Sequence, residues 1–261
     1  MKKSKKGRAR WRPGDWLSLL FPQRCPLCDA VLPFAPRLGA ALPAPYQPDV
    51  WVHTACHKKL QWITEPVCLR CGRPMGSDSA PFCRECRRKS FHFQSNTALW
   101  MYDGITRGSV SRFKYHGRQQ YAVYYARALW SVWSEYIRSL NPQALLPVPI
   151  HRSRLRRRGF NQAALIAWEL EKLSGIPCRE DILVRSKHTG AQKELGPAER
   201  LQNMENAFRV RKKPKGVDTV ILIDDIFTTG STLEAMSRVL SEAGISRIFC
   251  LTLCIAGTED R

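Results

Sequence analysis

Short apolar runs alternate with amphipathic segments in the part of the chain that follows residue 93. Five runs have the length and composition of buried strands: Ala98–Tyr102, Ala144–Ile150, Ile182–Arg185, Val220–Ile223 and Arg247–Ile255. Three segments between them carry apolar residues at helical spacing: Tyr121–Leu140, Asn161–Ser174 and Leu233–Ala243. Gly175 and Gly244 stand where the second and third helices are expected to stop, and Trp168 is expected to face the core.

The pattern also predicts how the chain divides. Residues 1–20 form a basic tail of the kind that is usually disordered. Residues 21–92 hold seven of the ten cysteines and few core residues. Residues 93–261 carry the predicted strands and helices and form the main domain.

The apolar run Val220–Ile223 leads directly into two acids, Asp224 and Asp225. A loop of small residues follows, made of Thr228, Thr229, Gly230, Ser231 and Thr232. A strand–loop–helix turn points free backbone N–H groups and the positive end of a helix dipole at one spot, where a phosphate binds well. The carboxylates instead suit the hydroxyl groups of a sugar, or a Mg²⁺ ion carried by the ligand. The stretch therefore predicts a sugar-phosphate site.

Three C-x-x-C pairs predict metal binding in residues 21–92. Two of them form a complete four-cysteine set, Cys68, Cys71, Cys83 and Cys86, which is typical of a zinc ribbon. The third pair needs two partners, and His53-Thr-Ala-Cys56 has the same spacing with histidine in the first place. We therefore expect a second zinc site with the ligands Cys25, Cys28, His53 and Cys56. His57 is the alternative to His53, and a redox pair at Cys25 and Cys28 is the alternative to the site.

Basic residues cluster in two further places. The stretch 151–158 contains five arginines and follows a predicted strand, which suits a pyrophosphate because arginine presents a rigid fork of donors. Arg152 is the predicted pyrophosphate ligand, and Lys187 is expected to assist from a polar, mobile loop at 186–206. Six residues are candidates for contact with nucleic acid: Arg154, Arg156, Arg157, Arg158, Lys114 and Arg118.

Lys114 and Arg118 lie in a basic and aromatic stretch that admits two interpretations. Interleaved aromatic residues allow base stacking, or Phe113 and Tyr115 pack a helix end into the core.

The composition fits a globular protein with an anionic ligand. Hydrophobic residues make up 44% of the chain, and the formal net charge of +20 attracts nucleic acid, nucleotides or anionic lipid. No apolar run approaches the roughly 18 residues of a membrane span, and the apolar residues near Trp16 are too few for a secretory signal. We expect a cytoplasmic protein.

The stretch 220–232 resembles the phosphoribosyl-pyrophosphate (PRPP) signature of type I phosphoribosyltransferases. The whole order of parts resembles the ComF family (ComFC and GntX-like proteins) from about Pro22 to Ala256. It includes the paired metal knuckles, Phe-Lys-Tyr-His-Gly at 113–117, Pro-Val-Pro to Phe-Asn-Gln at 147–162, and the PRPP signature. The resemblance implies a type I phosphoribosyltransferase fold, a twisted and mainly parallel sheet with helices on both faces, with an N-terminal double zinc ribbon.

The resemblance also implies a function. It implies a protein that binds PRPP with Mg²⁺ and acts in natural competence on incoming single-stranded DNA, with competence proteins as partners. As a phosphoribosyltransferase, it would use Asp224, Asp225 and Lys187 in catalysis, with an acceptor that the sequence does not name. The alternative is a non-catalytic module that binds single-stranded DNA or senses a ligand, with a vestigial PRPP site.

Overall fold

The computed structural model describes residues 22–32, 51–76, 80–185, 207–212 and 216–257. The basic tail 1–20, the polar loop 186–206 and Lys187 lie outside these ranges. The chain divides into two compact units, one ending at Lys59 and the other beginning at Leu60. The four-cysteine set that begins at Cys68 therefore belongs to the same unit as the predicted strands.

The first unit is built around a tight hairpin and a single helical turn. Arg24 pairs with Val31 across the hairpin, and the backbone N–H of Cys25 donates to the carbonyl of Ala30 at 2.9 Å. Helix α1, Thr54–His57, follows His53, whose backbone is extended. Cys25 is fully buried in this small unit.

The second unit contains six strands and six helices among the described residues. In chain order they are α2 (Arg84–Arg88), β1 (Ser95–Met101), α3 (Gly104–Tyr115), α4 (Tyr121–Leu140), β2 (Ala144–Pro147), α5 (Arg152–Arg158), α6 (Gln162–Ser174), β3 (Leu183–Arg185), β4 (Phe208–Val210), β5 (Thr219–Phe227), α7 (Ser231–Glu242) and β6 (Arg247–Ile255).

Four of the strands form one parallel sheet in the order β1-β6-β5-β2. The two short strands β3 and β4 pair antiparallel to each other. Helices α4 and α6 pack together, α6 contacts β2 and β5, and α7 contacts β6. The predicted α/β class with a mainly parallel sheet is confirmed, and all four carboxyl ends of its strands lie at one edge.

The central strand β5 is buried on both faces, as its apolar sequence predicts. Val220 and Leu222 belong to the same core cluster as Met236 of α7, and Ile221 and Ile223 are buried on the opposite side of the strand. The strand is longer than the apolar run, because its ladder with β6 continues to Phe227. The two acids therefore lie within the strand rather than after it.

The predictions from local sequence were wrong or incomplete for several other features. The stretch 152–158, expected as a loop, is helix α5, whose first turn is capped by the side chain of His151 accepting from the N–H of Ser153. Helix α3 begins directly after Asp103. The Asp103 carboxylate accepts hydrogen bonds from the backbone N–H groups of Ile105 and Thr106. This cap was not predicted from the sequence. Trp168 is 43% exposed, because smaller residues form the buried face of α6.

Candidate functional site

Three cysteines and one histidine of the first unit converge: Cys25, Cys28, His53 and Cys56. Their ligand atoms all lie within 4.8 Å of one another, and Cys28 Sγ is 3.3 Å from His53 Nδ1. Among the described residues, the group contains His53 and not His57. The hairpin presents the first two ligands and the start of α1 presents the other two.

The second group lies in the core of the second unit and consists of Cys68, Cys71, Cys83 and Cys86. Its four sulfur atoms also lie within 4.8 Å of one another. Cys68 and Cys71 are each 1% exposed, and the N–H of Cys83 donates to Cys68 Sγ at 3.3 Å. Both groups offer four protein ligands, which is the arrangement of closed, structural metal sites.

The chemistry of the second group fits a thiophilic cation. Burial would raise the pKa of the Cys68 thiol, but backbone N–H groups that donate to its sulfur outweigh burial and lower the pKa to about 7. Burial, together with the neighbouring thiolates, raises the pKa of Cys71 to about 12. The Cys68 thiol is thus readily ionised while the Cys71 thiol resists ionisation until a cation neutralises the cluster.

The first group shows the same contrast. Burial opposes ionisation of Cys28, but hydrogen bonds from the backbone of Ala30 and from His53 lower its pKa below the ordinary value. Burial, followed by hydrogen bonding to Cys28, raises the pKa of Cys56 to about 12. Both groups can therefore bind a metal ion, and the donor sets are those that zinc prefers.

The two acids of β5 lie at the carboxyl end of the central strand. Asp225 is only 7% exposed and forms an ion pair with the ammonium of Lys114, at the end of α3. Burial and the nearby Asp225 carboxylate raise the pKa of Asp224 well above its ordinary value. Although burial opposes the charge, Asp225 raises the pKa of Lys114. Two acids and one lysine therefore share a site where water is largely excluded.

The loop of small residues joins this strand to α7. Gly230 has a left-handed backbone, with φ of 77°, and caps the first turn of the helix. A Cβ atom at Gly230 would lie 2.7 Å from the ring of Phe227, so the loop has no room for a side chain there. The hydroxyls of Thr229 and Ser231 are 2.7 Å apart. The helix N-terminus, its glycine and its hydroxyls lie together at this loop, and phosphate binding there stays a prediction.

The predicted pyrophosphate ligand Arg152 is exposed at the start of α5. Arg185, at the end of β3, was not predicted from the sequence. Its side chain is half-buried, and its guanidinium lies over the ring of Phe208. Burial lowers the pKa of Arg185, the positive charge of Arg154 lowers it further, and Asp224 partly restores it. The two arginines are therefore close enough to repel each other, beside an acid that resists ionisation. No sequence signal links β3 to α5, so only the fold reveals this pair.

The predicted nucleic-acid residues fall into two settings. Arg154, Arg156 and Arg157 are exposed on α5, and Arg118 is partly buried. Lys114 forms an ion pair with Asp225, inside the predicted sugar-phosphate site.

At the end of α3 the core-packing interpretation is confirmed for Phe113 and wrong for Tyr115, and base stacking stays a prediction. Phe113 is fully buried in the core, whereas Tyr115 is 55% exposed. The guanidinium groups of Arg157 and Arg158 lie 6.0 and 4.8 Å from the centre of the Tyr115 ring. Arg158 also donates to the Tyr115 hydroxyl at 3.0 Å.

Within the described ranges, none of the helices combines the length and the apolar character that crossing a membrane requires.

Comparison with known proteins gives the same picture. Residues 155–261 match the phosphoribosyl transferase domain. Competence protein F of Haemophilus influenzae is 31% identical over 200 residues, which are 75% of this chain and 86% of that protein. Competence protein ComFC of Bacillus subtilis is 32% identical over 207 residues, 76% of this chain and 81% of that protein. DNA utilization protein YhgH of Salmonella typhi is 30% identical over 191 residues, 72% of this chain and 83% of that protein.

These matches confirm the resemblance drawn from the motifs. Identity of this level extends through most of each relative, over a stretch much longer than residues 155–261. The parallel sheet agrees with the matched domain, and the two metal-ligand groups agree with a double zinc ribbon. The chain therefore belongs to the ComF family, and its second unit carries a phosphoribosyltransferase domain.

Proposed function

We propose that this chain binds PRPP together with Mg²⁺ and is a phosphoribosyltransferase-like protein of natural competence. One observation carries the proposal: two acids lie in the carboxyl-terminal part of the central strand of a parallel sheet, next to the glycine loop that opens α7. Ligands of open α/β sheets bind outside the carboxyl ends of the strands. The names of the relatives, competence protein F and ComFC, support the assignment to competence.

In this proposal the 5′-phosphate of PRPP lies on Thr228–Thr232, at the start of α7. The ribose hydroxyls donate to Asp224 and Asp225. The ammonium of Lys114 pairs with the carboxylate of Asp225. Mg²⁺ arrives with PRPP and neutralises part of the pyrophosphate charge.

The pyrophosphate would lie near the arginines of α5 and β3. Arg152 and Arg154 are exposed on α5, and Arg185 is half-buried near Arg154. Two arginines held near each other favour an anion between them. Lys187, outside the described residues, follows Arg185 by two positions and stays a predicted member of this group.

As an enzyme, the protein would transfer the phosphoribosyl group to an acceptor. The acceptor's nucleophile forms a bond to C1 of the ribose while the bond from C1 to pyrophosphate breaks, and the pyrophosphate leaves with the electron pair. Positioning and charge stabilisation would supply most of the rate enhancement.

Titration calorimetry with PRPP and Mg²⁺ tests the binding proposal. The unsubstituted, zinc-loaded chain should bind, and the double variant Asp224→Ala/Asp225→Ala should not. The exposed Asp181→Ala serves as the control for removal of an acid elsewhere. Absence of binding by the unsubstituted chain would reject the PRPP site.

The second candidate function is the binding of single-stranded DNA without catalysis. The specific observation is Tyr115, exposed beside the arginines of α5, because an aromatic ring among cations is the usual platform for a stacked base. The relative named DNA utilization protein YhgH supports the same direction.

A salt titration tests this second function. Affinity for a labelled oligo-dT should fall linearly with the logarithm of salt concentration. The slope should become shallower by roughly one in Arg156→Gln or Arg157→Gln, because each substitution removes one cation that pairs with a phosphate. Tyr115→Ala should weaken binding with an unchanged slope. If the chain does not bind oligo-dT at low salt, this function is rejected.

A further inference from the structure

The second metal knuckle reaches the phosphate loop directly. Arg73, two residues after Cys71, donates from Nη2 to the backbone carbonyl of Thr228 at 3.1 Å. Thr228 is the first residue of the loop between β5 and α7. The contact thus joins the segment that carries two of the metal ligands, Cys68 and Cys71, to the loop that is predicted to bind a phosphate.

This contact fixes the orientation of a peptide group. A peptide bond is planar and trans, so its carbonyl and its N–H point in opposite directions. While Arg73 holds the carbonyl of Thr228, the N–H of Thr229 must point away from the knuckle. Loops that bind phosphate depend on such N–H groups being aimed in advance.

The knuckle in turn fixes Arg73. The N–H of Cys68 donates to the carbonyl of Arg73 at 2.9 Å, and the N–H of Gly72 donates to the carbonyl of Cys68 at 2.8 Å. Asn96 of β1 holds the carbonyl of Cys71 from outside, at 2.9 Å. Arg73 therefore lies in the same small hairpin as two of the four thiol ligands.

The segment after the second knuckle supports the loop at two further points. The ring of Phe91 lies 3.4 Å from where a Cβ atom of Gly230 would be. His92 contacts Glu234 in the first turn of α7, with its backbone N–H 2.8 Å from the carboxylate. Three residues that flank the thiol ligands, Arg73, Phe91 and His92, thus form a ribbon-side support for the loop.

Arg73 also carries an uncompensated charge. No carboxylate among the described residues pairs with it, and its buried Nε has no hydrogen-bond partner there. A guanidinium held at a phosphate loop without an acid partner raises the affinity of that loop for an anion.

We propose that Arg73 is a positioning residue for the 5′-phosphate of the sugar ligand, and that metal binding at Cys68, Cys71, Cys83 and Cys86 is thereby coupled to phosphate binding. The inference rests on the proposed PRPP site and names a residue that orients the phosphate-binding loop of that site. Because coupling between two sites is reciprocal in binding free energy, a ligand on the loop must also raise the affinity of the second group for the metal.

The first test compares the binding of ribose 5-phosphate with the binding of Mg²⁺-pyrophosphate, which represent the two parts of PRPP. Arg73→Met should weaken binding of ribose 5-phosphate about tenfold, the effect expected for one charge-assisted hydrogen bond. It should change binding of Mg²⁺-pyrophosphate by less than about twofold, since that half lies at α5 and β3. Arg73→Lys, which keeps a charge and a donor, should recover part of the affinity, and Arg84→Met on the exposed face of α2 is the control.

The second test measures zinc affinity and needs no change at Arg73. In a Cys28→Ser variant, which lacks the first group, ribose 5-phosphate should raise several-fold the concentration of a coloured chelator that removes half of the zinc at equilibrium. Ribose, which lacks the phosphate, should not change that concentration.

The outcomes separate the two proposals. If the unsubstituted chain binds neither ribose 5-phosphate nor PRPP, the proposed function fails and this inference fails with it. If it binds them and Arg73→Met binds ribose 5-phosphate equally well, the inference alone is overturned. A zinc affinity that does not change with ribose 5-phosphate overturns it as well.

Discussion

Lys114, at the end of α3, forms an ion pair with Asp225 on the central strand β5. The side chains are 19% and 11% exposed, so the pair is screened only weakly by water. Asp224 adjoins it and, being buried beside another acid, has a raised pKa. The Lys114 ammonium thus offsets part of the repulsion between two neighbouring acids.

Replacement of Lys114 by methionine should destabilise the fold by about 2–3 kcal/mol, because it leaves Asp225 buried without its cation. The pKa of Lys114 is raised, so the contribution is complete below the ordinary lysine pKa and disappears only as the pH rises through the raised value. Urea unfolding at pH 6 and pH 8 should therefore show the same destabilisation. Lys114→Arg is the control that keeps the charge, and an unchanged urea midpoint in Lys114→Met would contradict the role of the pair.

Asp224→Asn should stabilise the protein at pH 8 by roughly 1–3 kcal/mol while weakening PRPP binding. Because the folded state raises the pKa of Asp224, the carboxyl favours folding below the ordinary aspartate range and loses that contribution as the pH rises. The gain from asparagine should therefore disappear near pH 3.

Asp181 is the control for this prediction, because its pKa is shifted in the opposite direction from that of Asp224. A hydrogen bond from Arg179 lowers the pKa of Asp181 to about 2, so its contribution is present at neutral pH and disappears as the pH falls. Asp181→Asn should not stabilise the protein at pH 8. If thermal unfolding shows no gain for Asp224→Asn at pH 8, Asp224 is not strained in the folded state.

Gly230→Ala should cost about 2–4 kcal/mol, since it combines a left-handed backbone with a clash against the Phe227 ring. Gly117 also has positive φ but has open space around it, so Gly117→Ala should cost only about 1 kcal/mol. Chemical unfolding of both variants checks the difference. Equal destabilisation would show that the space at Gly230 is not restrictive.

The purified protein should contain about two zinc ions per chain, which elemental analysis measures. His53→Ala should reduce the content to about one, because its Nδ1 belongs to the first group, and His57→Ala should leave it at two. If the His53→Ala variant still contained two zinc ions per chain, His57 rather than His53 would be the zinc ligand.

Removal of the second metal should damage the domain that contains the sheet. Cys68 is buried in the core cluster that also includes Phe227 and Leu233, so Cys68→Ser should lower the unfolding temperature of that unit by several degrees. Cys28→Ser, which replaces an exposed ligand in the first unit, should remove one zinc with a smaller effect on the same transition. Differential scanning calorimetry distinguishes them, and equal shifts would contradict the placement of the second group in this core.

Much of the architecture follows from local pattern. The apolar run before Asp224, the helix at Tyr121–Leu140 and the C-x-x-C spacings depend on residues near one another in sequence, and the structure contains each of them. Trp168 shows the limit of this approach, because periodicity finds a helix but small residues decided which of its faces is buried.

The parts of the site that escaped prediction all depend on distant residues. The contacts of Lys114 with Asp225 and of Arg73 with Thr228 arise from the order of strands in the sheet, which no local signal specifies. The basic and aromatic surroundings of Lys114 suggested nucleic acid as its partner. Only the packed sheet shows that Lys114 contacts Asp225 and that Arg73 contacts Thr228.

Strand β6 lies between β1 and β5, although it follows every other strand in the described chain. During synthesis, β1 has no neighbour in this sheet until β6 has been made, because β6 is its single ladder partner there. The edges of β1 and β5 must therefore wait unpaired, which makes folding slow and exposes the nascent chain to aggregation. A ribosome-bound fragment that ends before Arg247 should thus bind chaperones and lack the domain's cooperative structure.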